Sequence, residues 1–396
     1  MPKQIWLLII GTVINITGAS FIWPLNTIYM HNELGKSLAF AGVILMINQG
    51  FAIIGNLIGG VLFDKMGGYR TILTGTSIAM TSSFSLVLFH DIYQYAVFLI
   101  IIGLGSGITR PAMFALASSV WPEGRAKAFN ALYVAQNLGV AIGASIGGYV
   151  ASISFSYIFI ANAILFLFFF LLAVNTFKPL GEKQDAYSYS SVLDHHKKIE
   201  NKANFRALVI LSVGFFISWM AYVQWQTTIA SFTQDIGIPL SSYSTLWTIN
   251  GLLIVLGQPM IRIITRAIPS SKKQIYIGTS IFLLSFISLL FADTFPAFVM
   301  AMVILTLGEM LVWPAVPTLA DKLAPKGRAG FYQGIINSVS TSGRMIGPII
   351  GGFVVDQWNI QSLFYAFILL MFIPFFSTYY YDKGLSHKKD ESARSV

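Results

Sequence analysis

The residue in this sequence most able to do chemistry is an acid inside an apolar segment. Glu309 lies in the stretch 298–320, and its neighbours stay apolar for more than two helical turns on either side. A charged side chain near the centre of a bilayer costs about 2.5–3.5 kcal/mol on insertion scales. Such an acid is tolerated when it faces water, pairs with a cation or binds a proton. Glu309 is therefore predicted to exchange a proton, or else to be a structural acid paired with a buried Arg, Ser or Thr.

Two arginines also interrupt apolar segments. Arg110 and Arg344 are each candidate counter-ions for Glu309, and either could hold an anionic head group. Arg110 lies nearer the end of its segment, where its long side chain could also reach the membrane surface. The apolar segments contain no nucleophile–base set and no metal-ligand spacing, and the chain has no Cys. An enzyme, a disulfide and a metal site are not expected.

The composition defines the class of protein that carries these charges. Of 396 residues, 55% are hydrophobic and 10% are charged, whereas a soluble domain is about 45–50% apolar and about 25% charged. The chain is therefore predicted to be an all-α integral membrane protein. Its net charge of +9 could suggest nucleic acid, but the placement of the basic residues argues for membrane topology instead.

About 20 apolar residues span a bilayer as a helix, and this length predicts twelve spans. A polar linker over 178–204 separates six spans from six, and a basic tail follows at 382–396. The predicted bundles are 1–177 and 205–381. The spans are 5–30, 39–62, 71–89, 95–119, 128–150, 157–177, 205–231, 242–264, 274–292, 297–320, 329–352 and 362–381.

The basic residues predict the orientation. Lys and Arg collect on the cytoplasmic side of membrane proteins. With both termini inside, and with Arg206 and Arg262 counted at the cytoplasmic ends of their spans, all but three of the 25 basic residues are cytoplasmic, the exceptions being Lys36, Arg110 and Arg344. The protein is expected in a bacterial cytoplasmic membrane.

The two halves repeat at an offset of 203 residues. This offset aligns Gly105 with Gly308 and Pro111 with Pro314, and one residue of slip then aligns the glycine-rich segments 143–148 and 347–352. Two homologous six-helix bundles suit a transporter whose halves move about a central site.

The segment between spans 2 and 3 carries a recognisable pattern. It contains Gly60, Asp64, Lys65 and Gly67 in the order of the cytoplasmic-loop signature of the major facilitator superfamily, which nearly the whole chain resembles. Gly68 and Tyr69 stand where the signature has its basic pair, and Arg70 is the candidate substitute. The resemblance implies a close helix approach at Gly60 and a charge cluster that holds an inner gate.

A second pattern resembles the glycine-rich fifth-helix motif of the family's antiporters. It occurs twice, and the copy in span 5 has Ala144 where the motif has Pro. Glycines allow close helix packing in lipid, so the motif is compatible with antiport and equally with ordinary helix packing. Its candidate interface residues are Gly143, Gly147, Arg344, Gly347, Pro348 and Gly351.

Glu309 and Arg110 together resemble positions in a subgroup of bacterial multidrug/proton antiporters. The fourth-helix Arg motif of drug antiporters is absent near Leu99. In this family spans 1, 4, 7 and 10 line the cavity, and aromatic and polar groups there suit amphipathic or cationic cargo, with a membrane-interface belt as the alternative. The candidates are Asn15, Trp23, Asn26, Tyr29, Trp219, Tyr222, Gln226 and Trp313, with Trp219, Tyr222 and Gln226 predicted to share a helix face.

These patterns predict a proton-coupled exporter of hydrophobic or amphipathic compounds. Its expected partners are small or lipid-like substrates, protons and membrane lipids; no nucleic acid and no cofactor beyond the proton gradient are expected, and the chain is expected to act as a monomer. A lipid flippase or a sugar or metabolite carrier remains an alternative, as does a non-transporting receptor or scaffold. The sequence leaves import and export equally open.

Overall fold

Helices joined by short turns make up the part of the chain that the structure describes. This computed structural model describes residues 1–22, 25–26, 29–36, 38–89, 91–178, 202–383 and 385, and no strand occurs in these ranges. Lipid offers no partner for peptide N–H and C=O groups, so an apolar chain that crosses a bilayer must bond them internally. The long apolar segments therefore fold as helices.

The described residues of the first half form five α-helices. A short π-helix, Tyr29–Glu33, follows the first of them. The helices are α1 Lys3–Ile22, α2 Leu38–Leu88, α3 Ile92–Val120, α4 Arg125–Ile153 and α5 Phe155–Thr176.

Helix α2 covers two predicted spans in one element. It has 51 residues and a single non-helical position, Gly67, with φ 82° and ψ 167°. Positive φ is open to glycine because it lacks a Cβ. Gly67 thus supplies the break between predicted spans 2 and 3.

The second half forms shorter helices with more interruptions. The elements are α6 Lys202–Gln224, α7 Thr228–Asp235, α8 Leu240–Leu256, α9 Gln258–Ala267, α10 Ser271–Leu289, α11 Phe295–Leu323, α12 Ala329–Gln357, α13 Ile360–Leu370 and α14 Phe372–Tyr380. Predicted span 7 is divided between α6 and α7, and predicted span 8 is divided between α8 and α9, which bend by 56° at Gly257.

Eight helices in the described residues are long and apolar enough to cross a membrane, or nine if the bent pair Thr245–Leu256 and Gln258–Ala267 is one span. The 49-residue segment Phe40–Leu88 is one of the eight, although about 20 residues suffice for one crossing. The all-α membrane fold is confirmed, and the number of twelve spans stays a prediction.

Contacts divide the chain into two compact units. Unit 1 comprises Met1–His196 with Pro325–Thr341, and unit 2 comprises Lys197–Ala324 with Ser342–Val396. The start of α12 groups with unit 1, and the predicted bundle bounds 1–177 and 205–381 stay a prediction. The predicted linker 178–204 and tail 382–396 lie mostly outside the described residues.

Glycines set the spacing of neighbouring helices in the same way in both units. In unit 1, a Cβ added to Gly75 would lie 2.7 Å from the carbonyl oxygen of Gly105. In unit 2, a Cβ added to Gly278 would lie 2.8 Å from the carbonyl oxygen of Gly308. Both pairs permit backbones to approach at van der Waals distance. Gly75 and Gly105 of unit 1 each lie 203 residues before their equivalents in unit 2, Gly278 and Gly308. The packing therefore confirms the predicted internal repeat.

Candidate functional site

Glu309 lies at the middle of α11 and is 1% exposed. Its carboxyl group accepts hydrogen bonds from neutral donors. Trp313 Nε1 donates to Glu309 Oε2 at 3.1 Å, one helical turn along α11. Asn250 Nδ2 donates to Oε1. These two donors compensate part of the cost of removing a carboxylate from water.

Asn250 connects α8 to this carboxyl group and was missed by sequence reasoning. The residue is buried, and its Nδ2 also donates to Thr306 Oγ1 at 2.9 Å. Thr306 in turn donates to the carbonyl of Met302 at 2.7 Å. A polar amide in the centre of the apolar span 242–264 was the available signal, since such residues in a bilayer are usually satisfied inside the protein.

Two indole rings pack beside the acid. Trp219 of α6 and Trp313 of α11 stack with ring centroids 4.4 Å apart and planes 4° apart. Tyr222 meets both rings edge-on, at 5.4 Å from Trp219 and 5.6 Å from Trp313. Phe215 and Phe282 also pack edge-on against Trp313. The predicted aromatic candidates Trp219, Tyr222 and Trp313 are therefore one cluster, whose contacts place it around Glu309.

Gln226 does not share this face. The helix α6 ends at Gln224, and the Gln226 N–H donates to the carbonyl of Val223 at 2.9 Å in the turn that follows. The predicted shared helix face thus applies to Trp219 and Tyr222 and is wrong for Gln226. Residues 224–228 include no Gly or Pro, so the sequence lacks the usual signal of a helix end.

Arg344 contacts the aromatic cluster through a cation–π interaction. Its Cζ lies 4.8 Å from the ring centroid of Trp219, within the range of attraction to an indole face. The contacts run from the acid through Trp313 and Trp219 to this cation. Arg344 is therefore part of the candidate site as well as of the predicted glycine motif.

The glycine motif brings α12 against α6 within unit 2. A Cβ at Gly343 would lie 2.7 Å from Cβ of Trp219, and one at Gly347 would lie 3.1 Å from the carbonyl oxygen of Met220. The buried Gln224 donates from Nε2 to the carbonyl of Gly347 at 2.8 Å. Pro348 lies inside α12. The motif therefore positions the helix that carries Trp219.

The first copy of the motif has the matching role in unit 1. A Cβ at Gly143 would lie 2.7 Å from Cβ of Ser20 on α1, and one at Gly147 would lie 3.2 Å from the backbone of Phe21. Both copies thus bring the motif helix onto the first helix of the same half, which is a packing function shared by the two halves.

The predicted cytoplasmic-loop motif, residues 60–70, lies within α2 around its break at Gly67 and contacts the start of α12. Asp64 accepts hydrogen bonds from the backbone N–H of Gly330 and of Phe331, each at 2.8 Å. Free N–H groups at a helix N-terminus favour a carboxylate. A Cβ at Gly60 would lie 3.0 Å from the Phe331 Cα, so the predicted close approach is present. Lys65 and Arg70 are exposed.

The remaining candidates lie in unit 1, and among those that the structure describes Asn26 and Tyr29 meet through Tyr95. Asn26 is buried and accepts a hydrogen bond of 2.6 Å from the Tyr95 hydroxyl, which gives it a structural partner. Asn15 is partly exposed on α1, and Arg110 is partly exposed on α3. Trp23 lies outside the described residues. Tyr29 packs against Tyr95 at 4.8 Å.

The helices, the glycine packing and the polar cluster inside the apolar core define a polytopic membrane transporter. A family model described as Major Facilitator Superfamily matches residues 8–348. The chain belongs to this superfamily.

Relatives and solved structures extend the comparison. The chain is 54% identical over 396 residues to the uncharacterized MFS-type transporter YttB of Bacillus subtilis, covering 100% of this chain and 99% of the relative. It is 24% identical over 363 residues to the multidrug resistance protein MdtH of Aeromonas salmonicida, covering 90% and 89%. The structure of a bacterial homologue of the iron transporter ferroportin matches with a TM-score of 0.79 at 12% identity, covering 97% of this chain and 100% of that one. The last likeness concerns the fold.

Proposed function

We propose that this protein is a proton-coupled secondary transporter that exports hydrophobic or amphipathic compounds, including cationic ones. The observation that carries the proposal is the buried Glu309 carboxyl group, bonded to Asn250 and Trp313 and adjoining stacked indoles. One group can thus exchange a proton while its neighbours offer aromatic faces to cargo. The distant likeness to a multidrug resistance protein supports the same class of cargo.

The hydrogen bonds suggest how a proton would act. Ionised Glu309 accepts from Asn250 and Trp313 together. Protonation removes the negative charge that strengthens both hydrogen bonds and adds a donor to the carboxyl group. The indole N–H of Trp313 can only donate. Protonation therefore weakens the bond that holds Trp313, and Trp313 is stacked on Trp219.

In the proposed cycle, a compound entering from the cytoplasm takes the place beside the indoles and the proton leaves Glu309. Alternating access then exposes the compound to the outside, where a new proton binds Glu309 and resets the transporter. The Lys and Arg distribution supports an orientation with both termini on the cytoplasmic side of the bacterial membrane, and we take the protein to act as a monomer.

The decisive experiment measures ethidium uptake into inverted membrane vesicles under an imposed proton gradient. Wild type should take up ethidium and Glu309→Gln should lose the gradient-driven part, because the amide cannot exchange a proton. Asp356→Asn is the matched control, since this carboxylate is exposed at the end of α12. Full gradient-driven uptake by Glu309→Gln would refute the coupling role. Folded wild type that moves no dye would favour a lipid or metabolite carrier.

A further inference from the structure

The internal repeat relates one cation in unit 1 to the aromatic stack in unit 2. The glycine contacts between α2 and α3 and between α10 and α11 fix the register, because Gly105 corresponds to Gly308 in both sequence and packing. The same offset of 203 residues pairs Arg110 with Trp313 and Ser106 with Glu309. Arg110 and Ser106 are four residues apart, so they lie on one face of α3.

The residue of unit 1 that corresponds to Trp219 can also be identified. In unit 2, Gly343 packs against Cβ of Trp219 and the carbonyl of Phe216. In unit 1, Gly139 packs against Cβ of Ile16 and the carbonyl of Val13. Ile16 therefore corresponds to Trp219. Where unit 2 stacks two indoles, unit 1 has an aliphatic side chain and a guanidinium.

The guanidinium of Arg110 makes no hydrogen bond and no ion pair with any residue that the structure describes. Protein atoms nevertheless surround it closely, while the residue keeps partial exposure. A charge removed from water without a partner is costly. Arginine presents five N–H donors in a planar fork that matches a carboxylate or a phosphate.

We infer that Arg110, with Ser106 one turn before it, forms an oxyanion subsite in unit 1 that binds one carboxylate or phosphate group. The oxyanion belongs either to the transported compound or to a lipid head group. The first case rests on the proposed transport function and adds acidic and zwitterionic amphiphiles to its cargo. Ser106 contributes one hydroxyl donor, and Arg110 contributes the charge.

Two dyes that differ by one methyl ester test this subsite. Rhodamine 110 carries a free carboxylate, and rhodamine 123 is its methyl ester. Their dissociation constants are measured by fluorescence polarisation with purified protein in phosphatidylcholine nanodiscs, without a proton gradient. Arg110→Gln should weaken rhodamine 110 binding at least tenfold and change rhodamine 123 binding less than twofold. Arg110→Lys should recover part of the affinity, since it keeps the charge and loses the fork.

The control variant is Arg206→Gln, which removes an exposed arginine at the start of α6 and should leave both dyes unaffected. A further test uses the wild-type protein alone and two competitors that share a naphthalene ring. 1-Naphthoate, which carries a carboxylate, should displace rhodamine 110, whereas 1-naphthalenemethanol, which carries a hydroxyl group instead, should not. No binding of rhodamine 110 to wild type, equal affinity in Arg110→Gln, or an equal loss for both dyes would each overturn the inference.

Exchange of the phosphatidylcholine nanodiscs for micelles of dodecyl maltoside, which contain no phosphate, distinguishes the two sources of the oxyanion. If rhodamine 110 binds wild type more tightly in the micelles while its binding to Arg110→Gln is unchanged, a lipid phosphate occupies the subsite in the nanodiscs. Unchanged binding to wild type assigns the subsite to the transported compound. Because these measurements use no gradient, they can succeed when coupling through Glu309 fails, and the reverse also holds.

Discussion

Trp313 links the acid and the aromatic stack, because it donates to Glu309 at 3.1 Å and lies parallel to Trp219 with ring centroids 4.4 Å apart. The guanidinium carbon of Arg344 lies 4.8 Å from the ring centroid of Trp219. A change at the carboxyl group therefore reaches a helix of the glycine motif through two indole rings. Substitution of Trp313 can therefore distinguish the effect of its indole N–H from the effect of its aromatic ring.

Trp313→Phe keeps an aromatic ring and removes the N–H donor. A hydrogen bond to a charged group contributes about 1.5–3 kcal/mol, so gradient-driven ethidium uptake should fall about tenfold or more. Vesicle flux measures this loss. Trp358→Phe, at a residue that is 65% exposed, is the matched control and should transport normally. Normal flux in Trp313→Phe would mean that the Trp313–Glu309 bond has no part in coupling.

Asn250→Ala removes the amide that bonds both Thr306 and Glu309. We expect gradient-driven flux to fall and the midpoint of thermal unfolding to drop. A buried polar group left without its hydrogen-bond partner lowers the free energy of unfolding by about 1–3 kcal/mol. Thr306→Val should have a smaller effect on flux, since it leaves the bond to Glu309. Asn175→Ala, an exposed asparagine on α5, should be neutral. An equal effect of Asn250→Ala and Asn175→Ala would contradict the positioning role.

Gly351→Ala tests the packing of α12 on α6. A Cβ there would lie 2.7 Å from Thr228 Oγ1 and 2.8 Å from Cδ of Gln224, so the Gln224 side chain must shift and its hydrogen bonds to the carbonyls of Met220 and Gly347 are disturbed. The unfolding midpoint in detergent should fall by several degrees. Gly352→Ala is a neighbouring control with nothing within 4 Å of its added Cβ. It should be neutral or more stable, since Ala exceeds Gly in helix propensity by about 1 kcal/mol.

Asp64→Ala removes the acceptor of the Gly330 and Phe331 N–H groups. Hydrogen exchange of these two amides, followed by mass spectrometry, should become at least tenfold faster, because the helix N-terminus loses both a hydrogen-bond acceptor and a favourable charge. Asp91→Ala changes an exposed carboxylate before α3 and should leave these amides unaffected. Unchanged exchange in Asp64→Ala would show that other groups protect this terminus.

The parts of the site that sequence reasoning predicted share one property: their signal is local in the chain. Glu309 is visible as an acid in an apolar span, and Gly60 and Asp64 are visible through their spacing. Asn250 and Gln224 were missed because their partners lie 59 and 123 residues away. Only the packing of α8 on α11, and of α6 on α12, reveals why these amides are buried.

The prediction for Gln226 failed for a related reason. Helical spacing assumes that the helix continues, and α6 ends at Gln224. Tertiary contacts support that end: the Tyr243 hydroxyl donates to the carbonyl of Trp225, a backbone group that a continuing helix would bond internally. The repeat, in contrast, was predictable because both halves preserve the glycines at which their backbones meet.

The open space beside Gly352 has a practical consequence. The natural sequence contains no cysteine, so Gly352→Cys would offer a single thiol for a spin label or fluorophore without removing any native residue of that type. The label would extend from α12, the helix that Asp64 holds at one end and Arg344 joins to the indoles. Spectroscopy at this one attachment point could therefore follow α12 in real time while a proton gradient is switched on.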